Sequence, residues 1–149
     1  MKFNISPQGM LRMGVFGGAY WAAADEEDFG DLSPCVEALA RSCTIKFDKR
    51  ENAYGVKAGL PFGLWVDNGW IFPEDPLGWF QWYCRYSNGR RHFRDKHQLN
   101  RHKRYGERWG LRARQQIAEK GYCSPVIKQG LLQWAHDPRI LVDKEIISL

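Results

Sequence analysis

Between Phe62 and Tyr86 the chain carries nine aromatic residues in 25 positions. Within that stretch, LGWFQWYCRYS places Trp79, Trp82, Tyr83 and Tyr86 at i, i+3, i+4 and i+7, one face of a helix. Leu77, Phe80 and Cys84 fall on the other side. A helix that is apolar nearly all round must be surrounded by protein. The fold is therefore expected to hold a helix at about 76–87 in its centre and to pack its other elements around it. The 149 residues suit one domain, 1–149. Such a domain buries roughly 70% of its unfolded surface, enough for a core without disulfides or metals.

Proline sets where the surrounding elements begin. Five of the seven prolines follow a candidate cap position: Ser6-Pro7, Ser33-Pro34, Leu60-Pro61, Asp75-Pro76 and Ser124-Pro125. Proline suits the first helical position, where its missing N–H would have no partner anyway. Ser and Asp accept hydrogen bonds from the next free N–H groups, whereas Leu60 cannot. Helices are expected at about 7–13, 34–42, 61–67, 76–87 and 125–135, with stops at Gly14, Gly69, Gly89 and Asp137-Pro138. A sixth, long and polar, runs from about Asp95 to Lys120. Residues 44–48 and 140–142 offer one or two short strands. The fold class is mainly α, a compact single-domain fold of about five to six helices. Gly14-Val15-Phe16-Gly17-Gly18 reads as a tight turn, because no Lys-Ser/Thr follows it as in a phosphate-binding loop.

Charge is distributed unevenly. The formal net charge is +5, yet residues 85–114 hold eleven Lys/Arg against Asp95 and Glu107 alone. That block is +9 and the rest of the chain is −4. Such asymmetry points to an anionic partner, nucleic acid first. On the long helix, Leu99, His102, Gly106, Trp109, Ala113 and Ile117 make a core-facing stripe. Beside it run His97, Arg101, Arg104, Arg108 and Arg112, within roughly 40–60° of Arg101 at 100° per residue. Gly106 and Gly110 each cost about 1 kcal/mol against Ala in a helix interior. They leave open a split near residue 106 that would break the stripe. A charged stripe can be simply a solvated face, but such faces usually mix both signs. The acidic run Asp25-Glu26-Glu27-Asp28 with Asp31 offers a third reading, in which loop 25–31 masks the arginines.

Several chemistries find no support. His92, His97 and His102 are five apart, which rotates each by about 140° on a helix, so they cannot share a metal. Cys35, Cys43, Cys84 and Cys123 include no C-x-x-C pair. Reduced buried thiols are the simpler reading, and a zinc site would have to be assembled from distant cysteines. Cys84 precedes Arg85, but its aromatic helix is a poor setting for a nucleophilic thiolate. No metal or cofactor is expected. No run of 18 apolar residues and no signal-peptide core is present, so the expected location is cytoplasmic, with no membrane partner.

The strings GVFGGAYW (14–21), YGVKAGLPFGLWVDNGWIFPEDPLGWFQWYCRYSNGRR (54–91) and KQGLLQWAHD (128–137) resemble a widespread family of small uncharacterised proteins. Its members share a GVFGGxY opening, a DPxGWFQWYCRYxxGRR centre and a closing LLQWA helix. The resemblance covers most of the chain but implies no activity, cofactor or catalytic residue. The chain departs from the pattern at Lys128-Gln129-Gly130, where an Arg-Gln-containing basic stretch is expected.

The leading expectation is a non-catalytic nucleic-acid-binding protein, for RNA or DNA, or a small subunit of a ribonucleoprotein assembly. Arg90, Arg91, Arg94, His97, Arg101, Arg104, Arg108 and Arg112 would meet phosphates, and Trp70 and Tyr86 would stack on bases. The alternative is an enzyme whose same arginines clamp a phosphorylated or carboxylated small molecule, with His97, Tyr83 or Asp95 moving protons. It requires a concave pocket where those groups converge. A third reading is an adaptor docking on an acidic protein.

Overall fold

A computed structural model describes residues 3–20, 46–60 and 62–141. Among them are six α-helices: α1 (Pro7–Met13), α2 (Phe62–Asp67), α3 (Trp79–Ser87), α4 (Asp95–Lys120), α5 (Pro125–Gln133) and α6 (Pro138–Leu141). Two 3-10 turns, Phe16–Gly18 and Lys49–Glu51, complete the regular structure, and pairing between strands is limited to one isolated bridge, Phe72 to Asp75. The mainly helical fold expected from the sequence is the one observed. Helix 34–42, the acidic loop, Cys35 and Cys43 lie outside the described residues. So do residues 44, 45 and 142 of the expected strands; 46–48 form no strand, and Ile140 belongs to α6.

Two serine caps act as their sequence suggests. Ser6 Oγ accepts from Gly9 N at 3.0 Å and Ser124 Oγ from Ile127 N at 3.3 Å, each with Pro at the helix start. The Asp75-Pro76 cap does not form. α3 starts three residues later, at a Gly78 N-cap with φ +109°, a value only glycine adopts freely. The Asp75 carboxylate is instead drawn into an ion cluster described below.

α3 is central, with Trp79 through Cys84 all buried. Its rings anchor neighbouring elements by their polar edges. Trp79 Nε1 donates to the Gln98 carbonyl at 3.0 Å, Trp82 Nε1 to Asp95 Oδ1 at 2.9 Å, and the Tyr83 hydroxyl to the Ile5 carbonyl. Burial without such partners would cost each group a few kcal/mol.

α4 is one continuous helix through Gly106 and Gly110, ending at Gly121. Gly106 is there for room: a Cβ at this position would run into the His136 imidazole. The core-facing stripe is as expected, with His102, Ala113 and Ile117 buried and Leu99, Gly106 and Trp109 half-buried.

α5 joins the two ends of the chain's apolar interior. Leu132 and Ala135 belong to a cluster built on α1 and α3, whereas the adjacent Leu131 belongs to a second one with Ala113, Ile117 and Cys123. Two buried glutamines on α5 satisfy the glycine turn. Gln133 Oε1 accepts from Phe16 N at 3.2 Å and its Nε2 donates to the Ala58 carbonyl at 3.1 Å. Gln129 Nε2 donates to the Gly14 carbonyl at 3.1 Å, and its Oε1 accepts from Tyr54 N at 3.1 Å. Gly14 itself has φ +107°, and a side chain there would collide with the Glu51 carbonyl. The GVFGG turn is thus a packing element, and Gln129 a structural residue rather than part of a binding stretch.

Candidate nucleic-acid interface

The eleven cations of the basic block separate into two groups. The first is committed inside the protein. Asp75 is 2% exposed and receives a bidentate Arg90, Nη1 to Oδ1 and Nη2 to Oδ2 both at 2.7 Å. Arg85 Nη1 joins at 3.1 Å, and His92 Nε2 lies 3.5 Å from Oδ2. This buried carboxylate ties the segment before α3 to its C-terminal end and to the turn that leads into α4. Arg94 pairs with Glu74, Nε to Oε2 at 3.0 Å, and lies over the Phe72 ring at 3.9 Å. The Glu74 carboxyl is held below the usual carboxylate range, first by a backbone hydrogen bond and then by Arg94.

Arg101 belongs to the first group as well. Its guanidinium lies 5.5 Å from the Trp65 ring centre and 5.3 Å from that of Trp134. Nη1 donates to the Trp70 carbonyl at 3.2 Å and to Gln98 Oε1 at 2.9 Å. Burial lowers its pKa to about 10. Of the eight cationic positions expected to meet phosphate, then, Arg90, Arg94 and Arg101 are occupied by protein contacts.

The second group faces solvent. Arg104, Arg108 and Arg112 are exposed on successive turns of α4 and make no ion pair among the described residues. Arg108 and Arg112 flank the Trp109 ring at 5.7 and 5.2 Å. Arg91 is exposed but lies over Tyr86 at 3.7 Å, with Nη1 bonded to the Tyr86 and Arg90 carbonyls. That contact occupies a face of Tyr86, whose ring also packs on Trp82 at 4.8 Å. Tyr86 is therefore a support for Arg91 rather than a free stacking surface. Trp70 is 40% exposed, edge-on to Trp65 at 5.4 Å.

The residues expected to move protons are not brought together. Tyr83 is buried against Ile5, and desolvation pushes its hydroxyl pKa up. Asp95 serves structure, accepting from Trp82 and from His92 N at 2.9 Å. His97 is exposed against the edge of Phe72, its pKa lowered by desolvation and then by Arg101, Arg94 and Arg104. Among the described residues, no group of three His, Cys, Asp or Glu could hold a metal ion; Cys84 and Cys123 are buried in separate clusters.

Two features were hidden from sequence reasoning. One is a stacked imidazole pair, His102 on His136, with ring centres 4.0 Å apart and planes 10° from parallel. His136 Nε2 contacts the His102 carbonyl at 2.7 Å, and the Trp79 ring covers the other side of His102. Desolvation first, then the neighbouring imidazole, brings His102 down to about 4, and desolvation lowers His136. The other feature is a cavity of about 490 Å³ to which α4 contributes Tyr105. Trp65, Trp79, Phe80, Tyr105 and Trp134 line it with rings, and among the described residues Lys57 is its one ionised lining residue. None of Tyr83, Asp95 and His97 lines it. The sequence spacing shows only that Tyr105 stands at i+4 from Arg101 and at i−3 and i−7 from Arg108 and Arg112, on one helical face. No family model, curated protein or solved structure matches the chain.

Proposed function

We propose that the protein binds nucleic acid without a chemical step, through the exposed face of α4. The observation that carries this reading is the row Arg104, Arg108 and Arg112, which presents three guanidinium groups over about 12 Å of helix and meets no carboxylate among the described residues. A purely solvated helix face would gain from alternating signs; this one forgoes it beyond a single loose Lys103–Glu107 contact at 3.9 Å. Guanidinium groups bind phosphate in a fork and suit a polyanion. Arg91, Lys96 and His97 extend the exposed basic surface at the start of α4. An enzyme acting on a small phosphate or carboxylate is the weaker reading, since it needs titratable groups around one concavity.

The test is the salt dependence of binding. Three phosphates neutralised by the row give a slope of log K against log salt of about −2.7 on duplex DNA and about −2.1 on a single strand. Replacing Arg104 and Arg108 by Ala should reduce the slope by about one per lost contact. A slope near zero, or no binding at low salt, would remove the proposal.

A further inference from the structure

The cavity has its own chemistry, and it is not that of a catalytic pocket. Aromatic rings line it. Trp65 and Trp134 lie nearly parallel, 26° apart with centres at 5.6 Å, and Tyr105 lies against Trp134 at 5.0 Å and 18°. A flat guest can extend such a stack. The volume of about 490 Å³ is in the range of sites that take small organic groups.

Charge then decides which flat group. Among the described residues no carboxylate lines the cavity. Lys57 stands in its lining with the ammonium 5.7 Å from the Phe47 ring centre, and it makes no ion pair among the described residues. Arg101, outside the lining, holds its guanidinium 5.5 and 5.3 Å from the ring centres of Trp65 and Trp134. An aromatic box for a cationic guest would need the reverse arrangement, because like charges exclude a wrong partner by several kcal/mol. The site is built for a neutral or anionic ring.

The one side-chain amide among the described lining residues is not free to read base edges. Gln133, a polar lining residue, has its amide oxygen bonded to Phe16 N and its amide nitrogen to the Ala58 carbonyl. Stacking without edge contacts tolerates any base. Finally, the wall residue Tyr105 shares its helical face with Arg108 and Arg112, three and seven residues on, so the exposed arginines follow a cavity residue along α4.

We propose that this cavity receives an unpaired nucleobase of the strand whose phosphates lie along Arg104, Arg108 and Arg112. The inference rests on the nucleic-acid reading above and adds to it a preference for single strands. A paired base cannot leave its stack for the cavity without a cost of a few kcal/mol, whereas an unpaired one can.

The experiment uses the full chain and three probes at low salt: a labelled 16-nucleotide oligo-dT strand, a 16-base-pair duplex of the same length, and AMP. Binding is followed by fluorescence anisotropy for the labelled strands and by quenching of tryptophan emission for all three. The single strand should bind more tightly than the duplex and quench tryptophan. Trp65→Ala, which removes an outer wall, should weaken the strand roughly tenfold and leave the duplex unchanged. Lys57→Glu, on the exposed rim, should do the same, and it serves where Trp65→Ala lowers stability. Arg104→Ala with Arg108→Ala should weaken both strand and duplex. Equal binding of strand and duplex, unaffected by Lys57→Glu, would overturn the cavity proposal and leave the nucleic-acid reading standing. Binding of neither would overturn both. Quenching by AMP without binding of either oligonucleotide would make the cavity a small-molecule site and overturn both as stated.

Discussion

Gly106 shows how one atom of side chain decides a helix's neighbour. As sequence it reads as a weak point, a residue that costs about 1 kcal/mol against Ala and invites a break. In the fold it is the gap through which His136 reaches α4 and stacks on His102. Two nearby glycines should therefore respond oppositely to the same change. Gly106→Ala should destabilise by about 1–3 kcal/mol, because the new methyl meets a ring held on its other side. Gly110→Ala meets only the flexible end of Arg114 and should stabilise by up to about 1 kcal/mol. Urea denaturation of both variants checks the pair, and a stabilising Gly106→Ala would contradict the account. The imidazoles make a further prediction. Their folded pKa values lie below the unfolded value, so the unfolded chain takes up more protons as pH falls. The stability they contribute is complete above about 6.5 and is lost as pH falls toward 4. Between pH 7 and 5, above the main carboxylate range, the His102 shift alone predicts a loss of about 2 kcal/mol. His102→Gln should flatten that dependence, and a denaturation midpoint that ignores pH in this window would rule it out.

At the scale of elements, the chain's own punctuation located most helices. α1 and α5 begin where Ser-Pro predicts, α2 ends at Asp67, and α4 spans the range of its 3.6-residue stripe. These signals are local, made of neighbours within a turn. The start of α3 was illegible for the opposite reason. Asp75 is a good cap in isolation, but Arg90, fifteen residues on, binds its carboxylate with two hydrogen bonds, and the cap is given up. The same long-range contact removed Arg90 from the exposed cations, so one tertiary interaction misplaces both a helix boundary and a site residue in any local reading. Residues 140 and 141 of the expected strand are helical because Pro138, behind the Asp137 carboxylate, starts the short α6. Asp75→Ala should cost roughly 3 kcal/mol, since it leaves buried guanidinium groups without their counter-charge. Thermal unfolding is the readout, and a shift within error of zero would show that the cluster contributes nothing to stability.

For the whole molecule, the concentration of positive charge was plain in the sequence, but the division of labour within it was not. Which arginine is spent on Asp75, Glu74 or a tryptophan pair depends on residues far away in the chain. The aromatic surplus divides similarly: Trp82 is wholly core, while Trp65 and Trp134 shape a cavity. The meeting of Leu131 and Leu132 on α5 has a kinetic meaning. Each leucine anchors a different apolar cluster, and each cluster holds one buried thiol, Cys123 in one and Cys84 in the other. A thiol sealed this way is alkylated only when its surroundings open, so each thiol reports the opening of its own cluster. Because one helix holds both clusters, neither can open far without moving α5. Peptide mapping after timed exposure to iodoacetamide should find Cys84 and Cys123 modified at the same rate under native conditions. Different rates would divide the protein into two units that breathe on separate schedules.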